Sequence, residues 1–203
     1  MFFNNHDNPR MVSKIDPEGV YTEPLAKLLA VLQLTLRGTP FLYQGDEAAV
    51  CNVKFNSIDE INDVESKGLY AELIKTMPVD KAFKRISAGT RDHARAPINW
   101  EEHERQRGTA DSVWRFYRDL IILRRSSRAL IYGDLEFLRP RDKKILCYTR
   151  CLGTEYFYIE ANLSHDKGRS KAIDGAALLF GNNGKSAGKV LRPYEARVYS
   201  VPV

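Results

Sequence analysis

Residues 22–47 read TEPLAKLLAVLQLTLRGTPFLYQGDE, and this stretch decides the fold class. Thr22 stands where a helix can be capped, with Glu23 and Pro24 in a first turn whose backbone donors have no helical partner. Leu25, Leu28, Leu29, Leu32 and Leu36 then recur at helical spacing, giving one apolar stripe that stops at Gly38. Thr39-Pro40-Phe41-Leu42-Tyr43 follows as a buried strand, with Pro40 tolerated at its start, and Gln44-Gly45-Asp46-Glu47 makes a polar tip. Toward the N-terminus, Phe2 and Phe3 run into Asn4-Asn5-His6-Asp7-Asn8-Pro9-Arg10, a second strand tip opening into a polar loop. Strand, helix and strand in this order form a parallel crossover, and such folds bind ligands at the carboxyl ends of their strands. Both polar tips lie there.

Toward the C-terminus the helical pattern weakens over residues 53–107, which read as a long insertion with some helix over 63–74. A second helix is expected over 111–125. Val113, Phe116, Tyr117, Leu120 and Ile121 share one face, and Arg124 and Arg125 favour its C-terminal end. After Ala129 the chain changes to short runs of β-formers, at 135–138, 145–150, 155–161, 177–180 and 196–201, separated by turn residues such as Gly153-Thr154 and Asn182-Asn183-Gly184. This spacing implies a small antiparallel sandwich, along whose strands Tyr148, Tyr156, Tyr158 and Tyr199 should alternate between core and surface. The expected division is therefore 1–128, α/β, and 129–203, all-β.

Composition narrows the function. A chain of 203 residues, 43% of them hydrophobic, can bury a real core. Its longest apolar run, 25–36, is interrupted by Lys27 and Gln33 and is too short for a membrane span. The first residues lack the basic, apolar and small-residue zones of a secretory signal, so a cytoplasmic location is expected. Cys51, Cys147 and Cys151 form no CxxC pair and read as free thiols, with neither a disulfide framework nor a zinc site, and no cofactor is expected. The net charge of +5 does not point to nucleic acid, because bases alternate with acids, as in Glu101-Glu102-His103-Glu104-Arg105. The one basic cluster, Arg139, Arg141, Lys143 and Lys144, surrounds Pro140 and Asp142 and reads as a solvated turn. Asn162-Leu163-Ser164 fits a glycosylation acceptor but reads as a strand end.

The order of motifs carries more than any one of them. Asn5-His6-Asp7-Asn8-Pro9-Arg10 followed by the segment from Gly38 to Glu47 resembles the last two strand tips of the barrel in the oligo-1,6-glucosidase branch of the α-amylase superfamily. Asp63-Val64-Glu65-Ser66 and Arg91-Asp92-His93-Ala94-Arg95-Ala96-Pro97-Ile98-Asn99-Trp100 resemble insertion motifs of that family. The second usually reads Arg-Asp-Asn-x-Arg-Thr-Pro-Met-Gln-Trp. Tyr117-Arg118-Asp119-Leu120-Ile121 with Tyr132-Gly133-Asp134 is similar to the last barrel helix and its exit, and Cys147-Tyr148-Thr149-Arg150 with the segment from Leu191 to Tyr199 is similar to the C-terminal sandwich.

The resemblance implies the last βα units of a (β/α)8 TIM barrel followed by a β-sandwich, belonging to a retaining glycosidase that acts on gluco-oligosaccharides. Such enzymes use a nucleophilic carboxylate and a carboxylic acid about 5–5.5 Å apart. Neither has a match in this chain; both belong to strands of the family barrel that precede Asn5, so a preceding part of the barrel is the expected partner, and the chain by itself is expected to be inactive. Asp7 matches the third essential carboxylate, which holds hydroxyls of the sugar at the scissile bond. His6 matches the neighbouring histidine, and Arg10, Arg91 and Arg95 are candidates for gripping sugar hydroxyls or ordering a carboxylate. The chain departs from the family at Asp46, His93, Ala96, Ile98 and Asn99, which leaves α-1,6, α-1,4 and phosphorylated disaccharide linkages open. The competing reading is a carbohydrate-binding or structural module without catalysis, since two barrel strands alone expose apolar faces and edges.

Overall fold

The computed structural model describes residues 1–138, 140–173, 175–184 and 188–202. Arg139, one of the basic cluster, lies outside them. Helices α1 (Met11–Ile15) and α2 (Thr22–Thr35) come first, then α3 (Val64–Leu73), α4 (Val79–Gly89), α5 (Asp92–Arg95), α6 (Trp100–Gly108), α7 (Val113–Ser126) and α8 (Arg128–Tyr132). The strands follow: β1 (Asp134–Phe137), β2 (Ile145–Leu152), β3 (Glu155–Asn162), β4 (Gly168–Arg169), β5 (Ala177–Gly181), β6 (Val190–Leu191) and β7 (Ala196–Ser200). A helical part thus precedes an antiparallel sheet. Five strands form that sheet in the order β1-β2-β3-β7-β5, and β4 pairs with β6 as a separate ribbon.

The two expected N-terminal strands are not regular strands. Segments 1–3 and 39–43 meet at one point, where the Met1 amine donates to the Thr39 carbonyl at 2.8 Å while the Phe41 amide donates to the Met1 carbonyl at 2.9 Å. One residue bonded to both j−1 and j+1 of its neighbour is the parallel pattern. The groups that would continue it are engaged elsewhere: the Phe41 carbonyl accepts from Gln33 Nε2, and the Tyr43 amide donates to the Asp46 carboxylate. The helix between them begins differently than expected. Tyr21, not Thr22, holds the N-cap position, and the Asp16 carboxylate accepts from the Tyr21 amide at 2.5 Å.

Helix α2 is buried on every side from Leu25 to Thr35, not along one stripe. It lies between α7, α8 and the sheet, so Lys27 and Gln33 are buried too. Lys27 pairs with Glu23 at 2.6 Å and reaches the Asp111 carbonyl, and Gln33 Nε2 donates to the Phe41 carbonyl at 2.5 Å. Paired in this way, polar side chains tolerate burial. The apolar cluster takes residues from both sides of residue 129: Leu28, Val31 and Leu120 meet Tyr148, Ile159 and Val198.

The sheet has two covered faces. Tyr148 packs toward the helices, whereas Tyr158 and Tyr199 pack with Ile145, Cys147 and Leu191 on the opposite face. These three tyrosines are buried and Tyr156 is half-buried, so the buried ones divide between two interiors and not between core and surface. The outer face also holds Glu160, which is fully buried. Its carboxylate accepts from Ser170 Oγ at 2.7 Å, Tyr199 Oη at 3.0 Å and the Lys171 amide at 2.9 Å. Asn162, also fully buried, donates to the Asp166 and Arg192 carbonyls and ends β3. All three cysteines are free thiols.

Candidate active site

The first polar tip is built by asparagines. Asn5 Oδ1 accepts from the Asp7 amide and from Asn8 Nδ2, both at 2.9 Å, folding 5–8 into a tight turn. Asn4 points inward. Its Nδ2 donates to Asp46 Oδ1 at 2.8 Å and its Oδ1 accepts from the Met11 amide at 2.7 Å, so this one side chain ties the first tip to the second. Asp46 is buried, and burial raises its pKa, opposed by the hydrogen bonds from Tyr43 and Asn4. At the second tip Gly45 takes a φ of 91°, where a side chain would also strike Val50.

This arrangement leaves Asp7 facing solvent, its side chain 49% exposed. Its two oxygens are engaged separately. Arg95 Nη2 donates to Oδ1 at 2.9 Å, and His6 Nε2 lies 3.2 Å from Oδ2. Arg95 Nε also donates to the His6 carbonyl at 3.0 Å, so one guanidinium holds both residues of the tip. Arg91 Nη1 approaches the same Oδ1 to 4.0 Å. A carboxylate has about four acceptor positions. Two are used here, and room remains for hydroxyl donors.

Arg91 owes its position to Asp63, 28 residues earlier in the chain. Asp63 Oδ1 accepts from Arg91 Nε at 3.0 Å and Nη2 at 2.5 Å, and Ser66 Oγ donates to Oδ2 at 2.7 Å. These bonds bring the Asp63 carboxyl down to about 2 and push the Arg91 guanidinium up. Glu65 adds a contact to Arg91 at 3.1 Å, and Asp92 accepts from the amides of Asn62 and Asp63. Arg91, Arg95 and Asp63 line an open cleft of about 660 Å³ together with Lys54, Phe55 and Pro97.

Four of the five expected site residues therefore converge: His6, Asp7, Arg91 and Arg95. Arg10 does not join them. It is 1% exposed, stacks on the Tyr43 ring at 4.9 Å, and donates to the carbonyls of Gln44 at 2.7 Å and Ala94 at 3.3 Å. It is correctly placed to join the second tip to the Arg91–Arg95 segment from beneath, and it has no exposed surface to offer a ligand. Two departures from the family pattern have local reasons. His93 is buried, its pKa lowered by that burial, with Nε2 against the Ser87 carbonyl at 2.6 Å. Asn99 caps α6, accepting from the Glu102 amide at 3.1 Å. Trp100 is 66% exposed, its ring edge-on to His103. Sequence reasoning missed Asn4, Asp46 and Asp63 as the residues that hold the site. The Asp-Val-Glu-Ser string was the available signal for Asp63, but its partner lies in another element.

Comparison with known proteins places this geometry. Residues 1–133 match the model of the alpha-amylase catalytic domain. Among curated relatives, the oligo-1,6-glucosidase of Bacillus cereus is 29% identical over 99% of this chain and 42% of its own length. The trehalose-6-phosphate hydrolase of Escherichia coli is 31% identical over 82% of this chain and 34% of its own. The crystal structure of the trehalulose synthase MutB from Pseudomonas mesoacidophila superposes with a TM-score of 0.87 at 28% identity, covering 98% of this chain and 42% of that one. The chain thus spans less than half the length of these relatives. With both polar tips, the Arg91–Arg95 segment and helix α7 all inside the matched residues, the chain belongs to the alpha-amylase family.

Proposed function

We propose that this chain is part of a retaining α-glucosidase that cleaves α-1,6 or α-1,4 glucosidic bonds of short gluco-oligosaccharides. Residues 1–128 supply the last units of a (β/α)8 barrel, with 53–107 as an insertion over its rim, and residues 129–203 supply a C-terminal β-sandwich. The observation that carries the reading is the Asp7 carboxylate, exposed at a tip yet oriented by Arg95 and His6.

In this role Asp7 and His6 hold hydroxyls of the sugar at the scissile bond. The hydrogen bonds they make strengthen as the ring flattens and acquires positive charge, which is where a fixed negative charge lowers the barrier. Arg95 keeps the carboxylate aimed. Arg91, fixed by Asp63, binds a sugar hydroxyl from the cleft side, and Arg10 positions the loops without touching substrate. The nucleophile and the general acid come from a preceding barrel segment, so the chain alone does not turn over substrate.

The test is to assay the 203-residue chain and the full-length protein side by side on isomaltose-type and maltose-type chromogenic substrates. The expected result is hydrolysis by the full-length protein with retention of configuration and none by the chain. A full-length protein that binds these sugars without cleaving any of them would favour the carbohydrate-binding alternative.

A further inference from the structure

The two arginines that reach toward Asp7 stand at the ends of one short run, Arg91-Asp92-His93-Ala94-Arg95, of which Asp92–Arg95 is helical. A single helical turn does not hold its own conformation, so anchors from other elements must set the direction of Arg91 and Arg95. The residues between them supply these anchors. Asp92 accepts from the amides of Asn62 and Asp63, and the Ala94 carbonyl accepts from Tyr43 Oη at 3.1 Å and Arg10 Nη2 at 3.3 Å. His93 supplies the third anchor, toward the end of α4.

The His93 side chain lies inside the fold, the residue being 3% exposed. Its Nε2 is 2.6 Å from the carbonyl of Ser87, in the last turn of α4 where helical donors run out, so Nε2 carries the proton and donates. Nδ1 is buried without a hydrogen-bond partner among the described residues. The Phe55 ring packs 5.3 Å from the imidazole and also lines the cleft beside Arg91 and Arg95. Every one of these contacts comes from residues 53–92, so none depends on a preceding barrel segment.

We propose that His93 is the positioning residue for Arg91 and Arg95, and that it holds them toward Asp7 only as the neutral imidazole. A second proton would put a full charge in a closed site, flanked in sequence by two arginines of the same sign. Burial lowers the ring's pKa from its ordinary 6.5, and the Ser87 backbone, Asp92 and the Val53 backbone offset this only in part. Asp92 belongs to the same helix; from α4 and segment 53–55 no charged group of the described residues acts on the ring. Below 6.5 the unfolded ring takes up a proton that the folded ring refuses, so the stabilisation is complete above 6.5 and falls as pH drops toward the folded value. The smallest response is local opening of the 91–95 run, which wets the ring and releases both arginines. The consequence for turnover rests on the glycosidase reading; the opening itself does not.

Amide hydrogen exchange of the chain, corrected for the intrinsic pH dependence of exchange, reads the opening at Thr90 and Ala94, whose amides bond to the Ile86 and Arg91 carbonyls. Protection there should fall by up to about tenfold per pH unit below 6.5 and stay level in the strands β2 and β3. His93→Gln keeps a donor for Ser87 and does not titrate in this range, so its protection at both amides should be independent of pH. In the full-length protein the same step should appear as an acid-side rise in KM that His93→Gln lacks. Level protection in the wild type, an equal fall in His93→Gln, or a His93 ring that titrates by NMR at the ordinary 6.5 would each overturn the proposal. So would KM values that stay parallel in an active full-length pair, whereas a full-length protein without turnover fails the glycosidase reading and leaves exchange to decide.

Discussion

Arg91 and Arg150 sit in opposite surroundings. Arg91 is part-exposed, held in a fork by Asp63 and turned toward Asp7. Arg150 is fully buried, forms no ion pair among the described residues, and donates to the carbonyls of Thr35, Leu130 and Gly133, where α2 and α8 end. The first keeps a donor beside an open cleft. The second satisfies carbonyls that the helices cannot satisfy themselves. One residue type thus serves recognition where carboxylates organise it and architecture where helix ends do, and substitutions should separate the two.

The largest effect is expected on the recognition side. In the full-length protein, Asp7→Asn keeps the size of the side chain and loses its charge, which should lower kcat roughly a few hundredfold, about 3–4 kcal/mol of transition-state stabilisation, with little change in KM. Steady-state kinetics with a circular dichroism check on folding decide it. Near-normal kcat in a folded variant would sink the assignment of Asn5-His6-Asp7 as a catalytic tip.

On the architectural side, Arg150→Met should leave three buried carbonyls without donors and cost about 3 kcal/mol or more, read as a shift of the urea midpoint at constant m-value. Gly133→Ala should act at the same place, because its new methyl would lie 2.6 Å from the Cys151 carbonyl. Here a loss of about 1–3 kcal/mol is expected, as for overpacking. If both variants melt like the wild type, the α8–β1 corner does not depend on Arg150.

Asn4→Ala breaks the tie between the two tips and leaves Asp46 buried without one of its donors. A stability loss of about 1–2 kcal/mol is expected, together with weaker kcat in the full-length protein because Asp7 is no longer anchored.

The smallest effect is a pH dependence. The Asp63 carboxyl is depressed to about 2 from an ordinary value of 3.8 by Arg91 and Ser66. A depressed carboxyl stabilises the fold fully above its unfolded pKa and loses that contribution as pH falls through the folded one. The Arg91 contact should therefore fade between about pH 4 and pH 2. Asp63→Asn should flatten the acid limb of stability over that window and raise KM more than it lowers kcat. An acid limb identical to the wild type would show that the pair does not hold Arg91.

Much of the fold is legible in residue order. The apolar spacing from Leu25 marks α2, the spacing from Val113 marks α7, and the β-rich runs after Ala129 mark five of the seven strands within a few residues. The short strands β4 and β6 escaped because two residues carry no periodicity. The polar helices α4 and α6 escaped because of their mixed charges. At the candidate site, His6, Asp7, Arg91 and Arg95 stand out in motifs, while their supports do not: an asparagine that joins two tips looks in sequence like any turn asparagine.

By itself, then, the sequence determined the two long helices α2 and α7, five of the strands, and which side chains stand in motifs, since periodicity and motif spacing act over a few residues. Only the tertiary structure decided that α2 is buried all round, that both faces of the sheet are covered, and that Arg10 and Arg150 are interior while Arg91 and Arg95 reach Asp7. The physical reason is the same in each case. Burial and charge pairing depend on partners that lie 28 to 115 residues apart along the chain, as Arg91 with Asp63 and Arg150 with Thr35 do, and nothing local encodes which partner arrives.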